Sequence, residues 1–133
     1  MNVTRLWFAD DRIYICQNDE KVLWQSLLWY PKLRSAKAEE RENYHLTVDG
    51  IRWDSLDEDV SFESFLYEHP EPTPLMRIFK EHPELKATAI AARLGIAQPL
   101  FSDYLRGKKN PSLKRLELIK AEIRKVGFEL TQI

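Results

Sequence analysis

Two hydrophobic periods divide the 133-residue chain. In its first half the apolar positions come in short runs, Leu6-Trp7-Phe8, Ile13-Tyr14-Ile15-Cys16 and Val22-Leu23-Trp24-Gln25-Ser26-Leu27, separated by Asp10-Asp11 and Asn18-Asp19-Glu20. Runs rich in β-branched and aromatic residues, punctuated by short Asp and Asn turns, predict an antiparallel meander. Trp29-Tyr30-Pro31 ends it. A polar helical stretch is expected over residues 31–44, with Leu33 and Ala36 on its apolar face and Glu39, Glu40, Arg41 and Glu42 in water. Residues 46–48 return to the sheet, Asp49-Gly50 turns, Ile51 and Trp53 form a short strand, and Ser61 is placed to cap a helix carrying Phe62, Phe65 and Leu66. Trp7, Trp24, Trp29 and Trp53 are expected in the sheet core. An antiparallel sheet with helices on one side accommodates this order.

The second half follows the helical period. Leu85, Ile90, Ala91 and Leu94 form one stripe and Phe101, Tyr104 and Leu105 the next, with Gly95 and Ile96 between them. Gly95 stands where one helix must end and the chain turn sharply, which favours a residue that tolerates a left-handed backbone. Gly107 follows the second helix. Lys108, Lys109, Asn110 and Pro111 make a basic loop, and Ser112 caps a third run through Leu113, Leu116, Ile119, Ile123 and Val126. Phe128-Glu129-Leu130-Thr131 alternates like a short strand. Between the halves, His69-Pro70-Glu71-Pro72-Thr73-Pro74 concentrates three of the seven prolines. This gives residues 1–69 as one domain, 70–74 as a stiff linker and 75–133 as a second domain. Thr73 and Pro74 suit the cap and first position of a helix buried through Leu75, Ile78 and Phe79 and stopped by His82-Pro83.

The segment LGIAQPLFSDYLRGKKNPS resembles the lambda-repressor-like (Xre-type) transcriptional regulators over about residues 74–133, with the glycines, the glutamine, the aromatic core positions and the basic loop in register. The fold expected of the whole chain is therefore α+β: a small antiparallel sheet with helices, then an all-α lambda-repressor-like helix-turn-helix domain. The resemblance implies a sequence-specific regulator that places the helix at about residues 98–106 in the major groove of double-stranded DNA. Base edges would be met by Gln98, Pro99, Leu100, Ser102 and Asp103, and phosphates by Arg106, Lys108, Lys109, Lys114 and Arg115. A glutamine amide can pair bidentately with adenine, and Asp103 must accept from cytosine or be repelled by the backbone. Lys86 and Ala87 stand where such domains commonly carry a capping hydroxyl and a glutamine. Binding to paired half-sites roughly 34–36 Å apart implies a homodimer.

WYPKLRSAKAEERENYHL with GIRWDSLDEDVS resembles a small α+β family of unknown function, over about residues 3–67. Its relatives occur joined to repressor-like domains and alone, sometimes as antitoxin-like partners. An alternative function follows: an antitoxin-like protein-interaction module, with a protein partner such as a toxin, in which DNA binding is secondary or lost. Asp54, Asp57, Glu58 and Asp59 are the candidate partner surface.

Charge sharpens the division. Residues 1–74 carry 8 Lys+Arg against 15 Asp+Glu, a net of −7, and residues 75–133 carry 12 against 6, a net of +6, inside a total of −1. Such asymmetry suits a nucleic-acid-facing module joined to one that does not bind. The acidic run could hold a hard cation, but it lacks the alternating ligands and central glycine of a calcium loop; a turn followed by helix capping is expected instead. With four glycines, no phosphate loop and no nucleophile elbow, neither catalytic residues nor a cofactor nor a metal is expected, and the chain is read as not an enzyme. His45, His69 and His82 lack cysteine partners in sequence, and the single Cys16 suits a buried strand position in a reducing compartment. Polar residues interrupt every apolar run, so a cytoplasmic protein without membrane contact is expected.

Overall fold

The computed structural model describes residues 2–18, 20–67 and 69–133 and is α+β. It divides into two compact units, Met1–Pro72 and Thr73–Ile133. The first holds two three-stranded antiparallel sheets, where the residue pattern predicts one. Strands β1 (Val3–Ala9), β2 (Arg12–Gln17) and β3 (Val22–Ser26) form the first sheet in that order. Strands β4 (His45–Leu46), β5 (Gly50–Trp53) and β6 (Glu58–Ser61) form the second.

Asp10 and Asp11, at φ 52° and 61°, turn β1 into β2 with both residues left-handed, the backbone a two-residue hairpin needs to match strand twist. The turn expected at residues 18–20 includes Asp19, which lies outside the described residues. Alternation in β2 sends Ile13 and Ile15, both fully buried, to one face and Arg12, Tyr14 and Cys16 to the other. The buried face continues through Leu27, Leu33, Ile51, Val60, Phe62 and Phe65. Phe8 meets Trp53 edge-on at 6.3 Å, joining the two sheets.

A buried polar group sits inside this core. Gln25 Nε2 donates to Ser64 Oγ at 2.6 Å, Tyr30 donates its hydroxyl to Gln25 Oε1 at 3.0 Å, and Ser64 passes its own proton to the Ser61 carbonyl. Each buried polar atom thereby finds a partner, and the chain segments are fixed in one register. Burial pushes the Tyr30 phenol above its ordinary pKa.

The single helix expected over residues 31–44 is two short ones, α1 (Pro31–Ser35) and α2 (Ala38–Glu42), because Ala36 and Lys37 are extended at ψ 152° and 158°. Glu40 accepts from the Lys37 amide at 2.9 Å, which starts the second helix afresh. Arg41 then donates to the Leu33 and Arg34 carbonyls, both at 2.9 Å, satisfying the end of the first. Val48 is fully exposed rather than in a strand. Ser61 accepts from the Ser64 amide at 3.2 Å, but Phe62 rather than Ser61 occupies the cap position, and the helix that follows is a 3-10 turn, Glu63–Leu66, that leaves Leu66 exposed. Trp29 and Trp53 are buried, whereas Trp7 and Trp24 stand with Tyr14 on the outer face of the first sheet.

The second unit is helical: α3 (Pro74–Glu81), α4 (Ala87–Leu94), α5 (Gln98–Arg106) and α6 (Leu113–Leu130). Leu75, Phe79, Ile90, Ala91, Phe101, Tyr104, Leu105 and Ile119 make one core, with Phe79 edge-on to Phe101 at 6.0 Å. Thr73 caps α3 by accepting from the Met76 amide and donates its proton to the Leu105 carbonyl at 2.8 Å, tying the start of α3 to the end of α5. The tail expected as a strand is the last turn of α6, where Phe128 and Leu130 are exposed. Helical continuity from Ile119 and Ile123 outweighs a four-residue alternation.

Candidate nucleic-acid interface

Helices α4 and α5 meet through a short corner whose geometry follows from Gly95. At φ 67° it accepts the left-handed backbone that a side chain resists, and the Ile96 amide reaches back to the Ala91 carbonyl at 3.0 Å, closing the helix end. Ile96 itself packs onto the core. Gly107, at φ 79°, ends α5 likewise, and the amides of Lys108 and Lys109 both turn toward the Asp103 carbonyl, at 2.9 and 3.3 Å. The basic loop is thus pinned to the last turn of α5 by its backbone, which leaves its side chains outside.

Spacing then decides what α5 shows. Phe101, Tyr104 and Leu105 face the core, so Gln98, Pro99 and Arg106 are exposed and Ser102 and Asp103 half-buried at the margin. Leu100 is half-buried and packs against the core, which limits how much of it a ligand would meet. Lys108, Lys109, Lys114 and Arg115 are exposed. Lys109 Nζ lies 3.7 Å from the Asp103 carboxylate, so the acidic residue on this face has a cation beside it. Arg115 donates to the Tyr104 hydroxyl at 3.2 Å, and Ser112 caps α6 by accepting from the Arg115 amide at 3.1 Å. Behind this surface, Arg93 of α4 pairs with Glu122 at 2.7 Å and Glu129 at 3.5 Å of α6, holding the two helices together.

Neither α4 nor α5 has a side-chain cap: Lys86 stands at the first position, as the sequence leads one to expect, and Ala97 at the second, which the residue pattern does not anticipate. Both helix starts keep amide N–H groups without side-chain acceptors, and at such ends anions are favoured. The signal was present in the sequence as an alanine before Gln98.

In the first unit, Asp54, Asp57 and Asp59 converge on one cation. Arg52 donates to them at 3.2, 2.8 and 2.9 Å across the β5–β6 hairpin, and His45 approaches Asp54 at 3.4 Å. The Arg52 hydrogen bond holds the Asp57 carboxyl below the ordinary carboxylate range. Glu58 lies at the strand's start and accepts from the Asp59 amide. This segment is a four-residue turn between strands, with Asp57 left-handed at φ 48°, not the start of a helix. Among the described residues no group of three or more His, Cys, Asp or Glu is placed to hold a metal, and no helix is long and apolar enough to cross a membrane. An open cleft of about 520 Å³ between Val3, Thr4, Leu46 and Phe62 is lined by amides, hydroxyls and apolar groups without an ionisable side chain among those described.

Fold and surface together define an α+β protein in which a double-sheet unit precedes a helical unit with a cationic face. The chain belongs to the DUF2442 family of proteins of unknown function, whose model matches residues 3–71. No curated protein and no solved structure matches the chain.

Proposed function

We propose that the chain is a sequence-specific, DNA-binding transcriptional regulator of the cytoplasm, acting as a homodimer, whose second unit is a lambda-repressor-like helix-turn-helix domain with α5 in the major groove. The observation that carries this reading is the arrangement around α5. Its exposed first turn offers Gln98 and Pro99, its start lacks a side-chain cap, and Lys108, Lys109, Lys114 and Arg115 stand exposed around its end and the start of α6. Major-groove readers contact bases from the first turns of such a helix, and the cations beside it supply the sequence-independent attraction to phosphate. Gln98 serves as the base reader and Arg106 as a phosphate contact from the last turn. Asp103, with Lys109 beside it, accepts from cytosine when Lys109 moves to a phosphate. The net +6 of residues 75–133 gives the field that draws the duplex in. The first unit then serves partner binding, sensing or dimer formation.

The test is the salt dependence of duplex binding by the full chain. Each phosphate that goes unneutralised should flatten the slope of log affinity against log salt by about 0.9. Lys108→Ala with Lys109→Ala is therefore expected to reduce the slope by about 2 while the melting temperature stays put. An unchanged slope removes the basic loop from the interface. Failure of the wild-type chain to bind duplex DNA at low salt removes the whole reading and favours the protein-interaction module.

A further inference from the structure

The arginines of the first unit fall into two groups. Arg34 pairs with Asp11 at 3.1 Å, Arg41 holds two backbone carbonyls, and Arg52 gathers three aspartates. Among the described residues, Arg5 and Arg12 have no carboxylate or carbonyl on their guanidinium groups; they lie over indole rings instead. Arg5 sits 4.6 Å from the Trp7 ring centroid and Arg12 3.8 Å from that of Trp24. In a segment carrying a net of −7, two cations that leave the carboxylates and stack on tryptophan are conspicuous.

Strand register places them on one surface. Trp7 pairs with Tyr14 and Tyr14 with Trp24, so the three rings cross the outer face of the first sheet in a row. Trp7 and Tyr14 are stacked, 5.4 Å apart and 4° from parallel. Arg5 pairs with Cys16 and Arg12 with Ala9, at opposite ends of that row along the strands, so their Cα atoms lie roughly 14 Å apart by strand geometry. A guanidinium stacked on an indole keeps its N–H edge open for a bidentate carboxylate and has already given up much of its rotamer freedom.

We propose that this outer face of the β1–β2–β3 sheet is a docking surface for an extended acidic segment of a partner protein, with carboxylates at positions i and i+4 on Arg5 and Arg12 and an apolar residue at i+2 over the ring row. Side chains two apart in an extended strand share a face, and four residues span roughly 13 Å, which matches the separation of the two arginines. The same geometry disfavours single-stranded nucleic acid. Base stacking needs open ring faces, and here Trp7 is covered by Arg5 and Tyr14, and Trp24 by Arg12.

The full chain is titrated with the end-capped peptide Glu-Thr-Val-Thr-Glu and with the permuted peptide Thr-Glu-Glu-Val-Thr, following the indole N–H resonances of Trp7 and Trp24 by NMR. Saturable shifts at both indoles are expected with the first peptide, with at least tenfold weaker binding of the permuted one. The variant Arg5→Gln/Arg12→Gln is expected to lose at least tenfold in affinity with an unchanged melting temperature, and Arg5→Lys/Arg12→Lys, which keeps the charge but not the fork, to fall between. Unmoved indoles, shifts confined to α5 and α6, or equal affinity in the glutamine variant would overturn the proposal. So would an oligo-dT strand that moves the indoles more strongly than the peptide, which assigns the face to nucleic acid. Concentration-dependent indole shifts without any peptide would assign it to a second copy and overturn it as well.

Discussion

At the scale of single residues, two glycines show how differently the same residue type is used. Gly95 is needed for its backbone: at φ 67° nothing lies near the site of an added Cβ, so Gly95→Ala meets only the left-handed penalty of roughly 1–2 kcal/mol. Chemical unfolding of the second unit is expected to register that loss. Gly50 is needed for space. It pairs with Ser61, and a Cβ there would run into the Val60 carbonyl oxygen across the hairpin. Because the obstacle is backbone rather than a mobile side chain, Gly50→Ala is expected to destabilise the first unit by about 1–3 kcal/mol in denaturant titration. The first role was legible, since a glycine between two helical stripes marks a corner. The second was not: Asp49-Gly50 reads as a turn, and only the cross-strand partner, Ser61, reveals why a side chain is excluded.

At the scale of elements, the acidic hairpin is where local chemistry misled the residue pattern. Asp57-Glu58-Asp59 before an apolar residue resembles the acidic start of a helix, yet Glu58, Asp59, Val60 and Ser61 alternate with Val60 buried, which is the strand period. The deciding residue, Arg52, lies on the partner strand, paired with Asp59. Its hydrogen bond lowers the Asp57 pKa, so this interaction stabilises the folded chain above the ordinary carboxylate range and fades as pH falls through it. Wild-type stability should therefore drop from about pH 5 downward. Asp57→Asn is expected to be the less stable at neutral pH and the less sensitive to acid, as thermal melts across that range would show. A mutant that retains the full acid response would place the titration elsewhere. The helical elements were more legible, because caps and stops are local: Thr73-Pro74 opens α3, Ser112 opens α6 and Gly107 ends α5. Splitting of α1 from α2 was hidden, since it depends on Glu40 and Arg41 hydrogen-bonding to backbone that the residue pattern does not place.

For the whole molecule, the formal charge of −1 conceals the property that matters, which is a first part at −7 and a second at +6. That contrast is readable from the sequence alone, as are the exposed positions of α5, which follow from the 3.6-residue period once Phe101, Tyr104 and Leu105 are placed inside. What the sequence could not supply is the company each charge keeps: Asp103 with Lys109, the three aspartates with Arg52, and the two arginines that stack on tryptophan. The measurement that bears most directly on the proposed function is selection of bound duplexes from a random pool by the full chain, repeated with Gln98→Ala. A two-fold symmetric site is expected to emerge, with half-sites about 10 base pairs apart centre to centre and a preference for adenine that disappears in the variant, at a cost of about 1–3 kcal/mol per half-site. Recovery of no common sequence, or of one whose enrichment is indifferent to Gln98, would contradict the role given to α5.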